Sequence, residues 1–267
     1  DASGKLTCYG WPGEFTIDGQ PEPFDIVEVS GAARIFNGKV IADLKTMSLA
    51  TTNVDHNIAL QLLPVTAAAV PALIPRLAGV VSQISNQHLR RFVLGVLAER
   101  EVAANFLRVP GSCGFHHAEP GGLLQHSLEV VEPILTWPGL DQETRDLAAT
   151  GALFHDIGKI RTIKPDGRST ELGGLVSHES LNLLLCERAL RELEHAWKSG
   201  CYAIMHILTA GTGRYGYDRK MLASHLVGVA DRVSSAGNAQ RLAFAKAADW
   251  QRFVRHDGNT YWRVAST

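Results

Sequence analysis

Near residue 52 the hydrophobic period of this chain changes, and that change restricts the fold more than any other feature. Before it, apolar and polar residues alternate with the period of a strand, most clearly over Phe24–Ser30 (FDIVEVS). Asn37-Gly38 lies between Ala33–Phe36 and Val40–Leu44 and predicts a hairpin with a two-residue turn. Lys5–Trp11 also alternates, Pro12-Gly13 breaks it, and Asp18-Gly19 marks a further turn. Short strands joined by tight turns predict a small barrel or sheet. From Ala67 onward the apolar residues recur at helical spacing, and residues 50–65 read as a linker between the two regimes.

The helical part is expected to begin with Val65–Ser85, which carries Pro71 and Pro75 near its start, and to continue with Gln87–Leu107. Five glycines and prolines make Val109–Gly121 a loop. Helices follow at about 122–136, 141–157, 175–195, 197–209 and 219–236, with Asp141 as an N-cap and Gly158 as a C-terminal stop. The tail, 238–267, predicts one more helix and then a hairpin turn at Asp257-Gly258-Asn259.

A net charge of −1 gives no global attraction to nucleic acid or anionic lipid, so affinity for a polyanion must come from local patches. Cys8, Cys113, Cys186 and Cys201 form no C-x-x-C pair, which excludes a zinc knuckle and fits free thiols in a reducing cytoplasm. The longest apolar stretches, such as Val65–Leu73, are too short to span a bilayer. A cytoplasmic location without a leader segment and without membrane attachment is therefore expected.

Histidine and aspartate recur on separate helices. His126 lies in GGLLQHSLEVVE, His155-Asp156 in ALFHDIGKI, His178 in SHESLNLLL, His206 in YAIMHIL and Asp231 in VGVADRVSSA. Imidazole nitrogen and carboxylate oxygen together suit Mn²⁺, Fe²⁺, Zn²⁺, Mg²⁺ or Co²⁺ without any thiolate. Such an ion polarises a phosphoryl oxygen and lowers the pKa of bound water. Neighbours on a helix point about 100° apart, so a metal held by both His155 and Asp156 has to sit near the helix end. Gly158 permits close approach there, and Lys159 follows within one turn as a point charge for a phosphate.

A His-Asp dipeptide alone is weak evidence, since His256-Asp257 repeats it in a turn context. His178 is either a ligand or a helix cap, and His206 either a ligand or a core histidine. His225 stands six residues before Asp231, off its face, while His56, His88 and His195 read as ordinary positions. His116-His117, in the Gly/Pro loop, is either a buried structural pair or suited to phosphate contact and proton transfer. Lys159, Arg161, Lys164 and Arg168 against Asp166 form a basic run, which taken alone is a solvated loop.

At these residues the sequence resembles a known family. The run ISNQHLRRFVLGVLAEREVAANFLRVPGSCGFHHAEPGGLLQHSLEVVEP and then ALFHDIGKI is similar to the OB-fold–HD-domain 3′→5′ exoribonucleases, the YhaM-like branch of the HD superfamily of metal-dependent phosphohydrolases. FNGKV is similar to the second half of that family's OB fold. The resemblance implies a mainly α protein, with a partial OB-like β module over 1–52 and an all-α HD domain over 60–236; residues 237–267 read from the sequence itself as a helix-and-hairpin appendage. It implies His126, His155, Asp156 and Asp231 as metal ligands, with Lys159 near the substrate and His178 as the family's intermediate histidine. His206 joins the candidate ligands. His117 and Lys159 are candidates beside Asp156 for catalysis, and His116, Lys159 and Arg161 for substrate binding. The expected cofactor is a divalent metal, manganese first, and the expected substrate single-stranded RNA or DNA.

Three departures stand out. Where the family has His-His-Gly after the helix of His206, this chain has Gly211-Thr212-Gly213, so a second ion would need His206. The OB portion starts in mid-fold. The tail has no counterpart in the family; it is basic, and its Trp250, Tyr261 and Trp262 either stack on bases or pack internally. HHAEPGGLLQHSLEVV is also similar to the HD domain of conjugative relaxases, which process DNA. A small-nucleotide phosphohydrolase and a non-catalytic nucleic-acid-binding protein are the alternatives.

Overall fold

The computed structural model describes residues 4–50, 58–209 and 221–264. The N-terminal strands are β1 (Thr7–Gly10), β2 (Thr16–Asp18), β3 (Val27–Phe36) and β4 (Lys39–Leu49). Asn37 and Gly38 both have positive φ, 49° and 72°, the pair of left-handed residues that a two-residue turn between twisted strands requires. The hairpin it joins is longer than the alternation alone marks. β3 and β4 pair from Phe36↔Lys39 back to Val27↔Leu49, with a bulge between Ser30 and Gly31. A Cβ at Gly31 would collide with the Asp43 carbonyl oxygen, so the bulge needs glycine. β1 and β2 lie in line along the other edge of β4, both parallel to it. Three strands therefore stand side by side, with β4 in the middle.

The rest of the chain is helical, and the protein as a whole is mainly α with a small β part. In order come α1 (Ala59–Leu62), α2 (Leu73–Gln83), α3 (Gln87–Ala98), α4 (Arg100–Asn105), α5 (Gly122–Thr136), α6 (Gln142–Phe154), α7 (Lys159–Thr162), α8 (His178–Leu185), α9 (Glu187–Ala196), α10 (Lys198–Thr209) and α11 (Leu222–Phe244). A hairpin of β5 (Phe253–His256) and β6 (Asn259–Trp262) follows, turning on Asp257 and Gly258 as predicted. The helix expected over Val65–Ser85 starts only at Leu73, because Pro71 disfavours helical backbone just before it. The helix expected over Gln87–Leu107 breaks at Glu99, whose ψ is 126°. The one expected over 175–195 breaks at Cys186. Conversely, the helix expected at 219–236 and the one expected in the tail are a single rod, α11: Gly237, right after Ala236, keeps helical backbone rather than the left-handed φ of a helix stop.

α5 and α6 form the centre, with α11 packed on both and α10 on α6. The inner face of α6 is built of small residues, Ala148, Ala149, Gly151 and Ala152, which lets helices approach closely; a Cβ at Gly151 would strike Ile207 of α10. Phe154 closes this layer against Phe92 and Phe106, both with ring centroids 6.1 Å away. Asp141 caps α6 by accepting from Thr144 N at 2.8 Å, as its position predicts. The β sheet joins the helices through Arg100, which reaches Glu22 and Asp25, and through Arg108 over the Phe24 ring. No described helix is long and apolar enough to cross a membrane. Gly211-Thr212-Gly213 and His56 lie outside the described residues.

Candidate metal centre

Three segments far apart in sequence meet at one end of α5. The first is the Gly/Pro loop, which folds back on the start of α5: Gly111 N donates to His117 O at 2.7 Å, and Leu123 N to Val109 O at 3.1 Å. A Cβ at Gly122 would collide with that same His117 carbonyl, so the close return depends on glycine. His117 itself has φ 52° and is fully buried, and its N–H is taken by Asn238 Oδ1 of α11 at 3.1 Å. The second segment is the turn after α6, which carries His155 and Asp156. The third is the middle of α11, which carries Asp231.

His126, on α5, is fully buried. Its Nδ1 lies 3.1 Å from Ser234 Oγ, and Ser234 in turn donates to Glu129 Oε2 at 3.0 Å. Because the serine proton goes to Glu129, the serine oxygen accepts from His126 Nδ1–H. The lone pair of His126 therefore lies on Nε2. His155 reaches the same state by another route: its Nδ1 donates to the Ala152 carbonyl at 2.8 Å, leaving Nε2 as the lone-pair nitrogen. Both Nε2 atoms are buried and make no hydrogen bond. Yet His126 Nε2 stands 3.2 Å from Asp231 Oδ1 and 3.5 Å from Asp156 Oδ2, and His155 Nε2 stands 3.5 Å from Asp156 Oδ2 and 3.9 Å from Asp231 Oδ1.

Two buried imidazole lone pairs that face two carboxylates without bonding them are the arrangement a cation satisfies. A buried polar atom with no partner is otherwise costly, on the order of 1–3 kcal/mol. The donor atoms of His126, His155 and Asp231 all lie within 4.8 Å of one another, and Asp156 borders them through Oδ2. Electrostatics point the same way. Burial opposes charge on all three groups, but the contacts outweigh it. Asp156 and Asp231 raise the pKa of His126. Against its own burial, Asp156 is held well below the carboxylate range by His155, Lys159, His126 and His178, and Asp231 is lowered by His126 and His155. The pocket demands positive charge, and a nitrogen and oxygen donor set without thiolate fits a divalent ion such as manganese, iron, zinc or magnesium.

The loop histidines add a second group. His116, His117 and His126 also place donor atoms within 4.8 Å of one another. His117 Nε2 bonds Glu129 Oε2 at 2.9 Å, and its Nδ1 faces His116 Nδ1 at 3.4 Å. Burial, reinforced by Lys159 and the neighbouring histidines, pushes His116 down to about 4. Although burial alone would raise Glu129, hydrogen bonds from His117, Gln125 and Ser234 bring it to about 2. Glu129 is thus an anion shared by both histidine chains.

The other candidates divide. Lys159 Nζ bonds Asp156 Oδ2 at 2.6 Å, and His178 Nε2 bonds Asp156 Oδ1 at 2.9 Å, so both lie against the cluster through one carboxylate. Arg161 forms a forked pair with Glu101, at 2.7 and 2.6 Å. His206 is half-buried on α10 and belongs to neither donor group among the described residues. His225 is exposed, and His256 contacts Asp257 at the hairpin turn.

Sequence reasoning missed the supporting residues. Asn182 is fully buried and ties the turn after α6 to the end of α10: it accepts from Gly158 N at 2.8 Å and donates to His155 O and Leu208 O at 2.5 and 3.0 Å. Ser234 and Glu129 were equally unmarked, although each stands three residues after a candidate ligand, on the same helical face. Ser234→Ala should lower metal affinity roughly 10- to 100-fold, since it frees the His126 ring to turn and change tautomer; isothermal titration with Mn²⁺ measures this, and unchanged affinity would remove Ser234 from the orienting role.

No family model and no solved structure matches the chain. Three curated relatives do, all described as 3′-5′ exoribonuclease YhaM. That of Bacillus velezensis is 24% identical over 202 residues, covering 73% of this chain and 62% of the relative. That of Shouchella clausii is 30% identical over 120 residues, 43% of this chain and 36% of the relative. That of Oceanobacillus iheyensis is 25% identical over 182 residues, 66% and 52% respectively. The chain spans less than two thirds of each relative's length.

Proposed function

From the premise that this chain is a relative of the YhaM 3′-5′ exoribonucleases, we propose that it is a metal-dependent phosphodiesterase of the HD type, shortening single-stranded RNA or DNA from the 3′ end. The single observation that carries this reading is the pair of buried, unbonded Nε2 atoms of His126 and His155 facing Asp156 and Asp231. In the same reading, residues 1–52 are an OB-like module, 60–236 the HD domain and 237–267 an appendage.

His126, His155, Asp156 and Asp231 would hold the ion, manganese being our first choice, with His178 acting on Asp156 rather than on the ion. When bound, a divalent ion supplies an acidified water and a Lewis acid for a phosphoryl oxygen. The chain's own residues supply the rest. Ala152 O and Ser234 Oγ fix the rings of His155 and His126, so no reorganisation is needed when charge develops. Lys159 brings a cation to the edge of the site, already desolvated against Asp156, where it neutralises a substrate phosphate. His116 is neutral at neutral pH and offers a phosphate contact or a proton acceptor. His117, whose Nδ1 is 3.4 Å from it, is held in place by the Glu129 carboxylate at Nε2 and in turn positions the His116 ring. Arg161 serves Glu101 instead, and we assign it no substrate contact.

The test is a denaturing gel of 5′-labelled single-stranded RNA and DNA incubated with Mn²⁺-loaded protein. A ladder shortening from the 3′ end and abolished by EDTA is the expected outcome. Oligonucleotides left intact, with free nucleotides hydrolysed instead, would replace this reading with that of a small-nucleotide phosphohydrolase.

A further inference from the structure

The C-terminal hairpin keeps its largest aromatic side chains outside. β5 and β6 pair Phe253↔Trp262, Val254↔Tyr261 and Arg255↔Thr260. Strand alternation splits these into two faces. Val254, His256 and Tyr261 are half-buried, while Phe253 is 66% and Trp262 57% exposed as a cross-strand pair, with Arg255 exposed on the same face. Trp250, at the turn leading into the hairpin, is 78% exposed.

The hairpin is firmly attached, so this exposure is not the result of a loose segment. The Arg263 guanidinium lies 4.6 Å from the Phe244 ring centroid at the end of α11. It also donates to Ala248 O at 2.6 Å and Gln251 O at 3.0 Å. Arg252 and Arg255, by contrast, have no acidic partner among the described residues, and Asp257 points its charge at His256.

We propose that this face binds single-stranded nucleic acid, stacking bases on Phe253, Trp262 and Trp250 and holding phosphates with Arg252 and Arg255. Exposed apolar patches of this kind mark interaction surfaces. Rings flanked by guanidinium groups that have no acidic partner among the described residues match the alternation of base and phosphate better than the aliphatic surface of a protein partner. The face also stands at the far end of the helix that carries Asp231. From Asp231 to Phe244 is about 20 Å at 1.5 Å per residue. A strand held on the hairpin could follow α11 to the metal centre. That last step rests on the function proposed above; the binding itself does not.

Binding is measured without turnover, by fluorescence anisotropy of labelled single-stranded RNA and DNA in EDTA. Phe253→Ala/Trp262→Ala and Trp250→Ala should weaken it roughly 5- to 150-fold per base stack lost. Arg255→Gln should reduce the slope of log K against log salt by about 0.7. Circular dichroism checks that the variants fold, and hydrolysis of a dinucleotide, too short to reach the hairpin, should stay at the parent rate. Unchanged affinity in the double variant would overturn the proposal even in an active enzyme. A dimer that the double variant dissociates without loss of nucleic-acid affinity would also overturn it, and assign the face to a second copy of the chain. Binding retained by the parent protein with no hydrolysis under any metal would instead defeat the exonuclease reading and leave this one standing.

Discussion

Asp156→Ala is expected to purify without divalent metal and, under the proposed function, to hydrolyse oligonucleotides on the order of 10³-fold more slowly than the parent, the rate equivalent of several kcal/mol of lost charge stabilisation. Asp156 is the residue through which most of the site is connected. Oδ2 faces both unbonded imidazoles and accepts from Lys159, while Oδ1 accepts from His178. Removing it leaves a lysine and three histidines around a buried space, with Asp231 the remaining carboxylate facing the Nε2 atoms of His126 and His155. Metal content by mass spectrometry, turnover on the gel and far-ultraviolet circular dichroism are measured together. Metal and activity should disappear while the helical signal stays. Turnover retained by metal-free protein would end the proposed mechanism.

Gly158→Ala is expected to destabilise the protein by roughly 3 kcal/mol or more, a loss in the range reserved for core overpacking and backbone collision. The added Cβ would fall on the carbonyl oxygen of His178, a backbone atom at the start of α8 that cannot swing aside. At this chain size such a loss lowers the midpoint of thermal unfolding by roughly 6–12 °C. It should also weaken metal binding, because Asn182 clamps Gly158 and His155 together. Gly79→Ala is the control: nothing lies within 4 Å of a Cβ there, so an alanine inside α2 should leave stability equal or raise it by about 0.5–1 kcal/mol. Equal stabilities for the Gly158 variant and the parent would show that the turn does not press on α8.

The change of period, the Asn37-Gly38 and Asp257-Gly258 turns and the Asp141 cap were all legible in the sequence, because each is a local preference that the fold leaves in place. Helix boundaries were not. Glu99 and Cys186 break helices without proline or glycine, through packing that no short window records, and α11 runs on where the pattern suggested two pieces. The clustering of His126, His155, Asp156 and Asp231 was expected from resemblance, while the structure supplies its geometry. Asn182, Ser234, Glu129 and Asn238 were invisible, since a buried polar residue on a helix looks like any surface one until its partner from another segment is known. Arg161 illustrates the converse: it stood among the substrate-binding candidates, but Glu101, far back in the chain, holds that guanidinium.

His126, the His155-Asp156 pair and Asp231 enter the centre from α5, the end of α6 and α11. In the unfolded chain these groups are strangers, and uniting them closes long loops whose entropic cost grows with the logarithm of their length. Whatever binds only the united set therefore works as a reversible tertiary cross-link. At a hundredfold excess over its Kd it adds about 2.7 kcal/mol to the stability of the whole bundle. A proteolytic fragment ending ahead of Leu222 would keep His126, His155 and Asp156 but lose Asp231 together with Ser234, the group that sets the His126 lone pair. The full donor set therefore exists only where α11 is docked on α5 and α6, and a chain lacking α11 cannot form it.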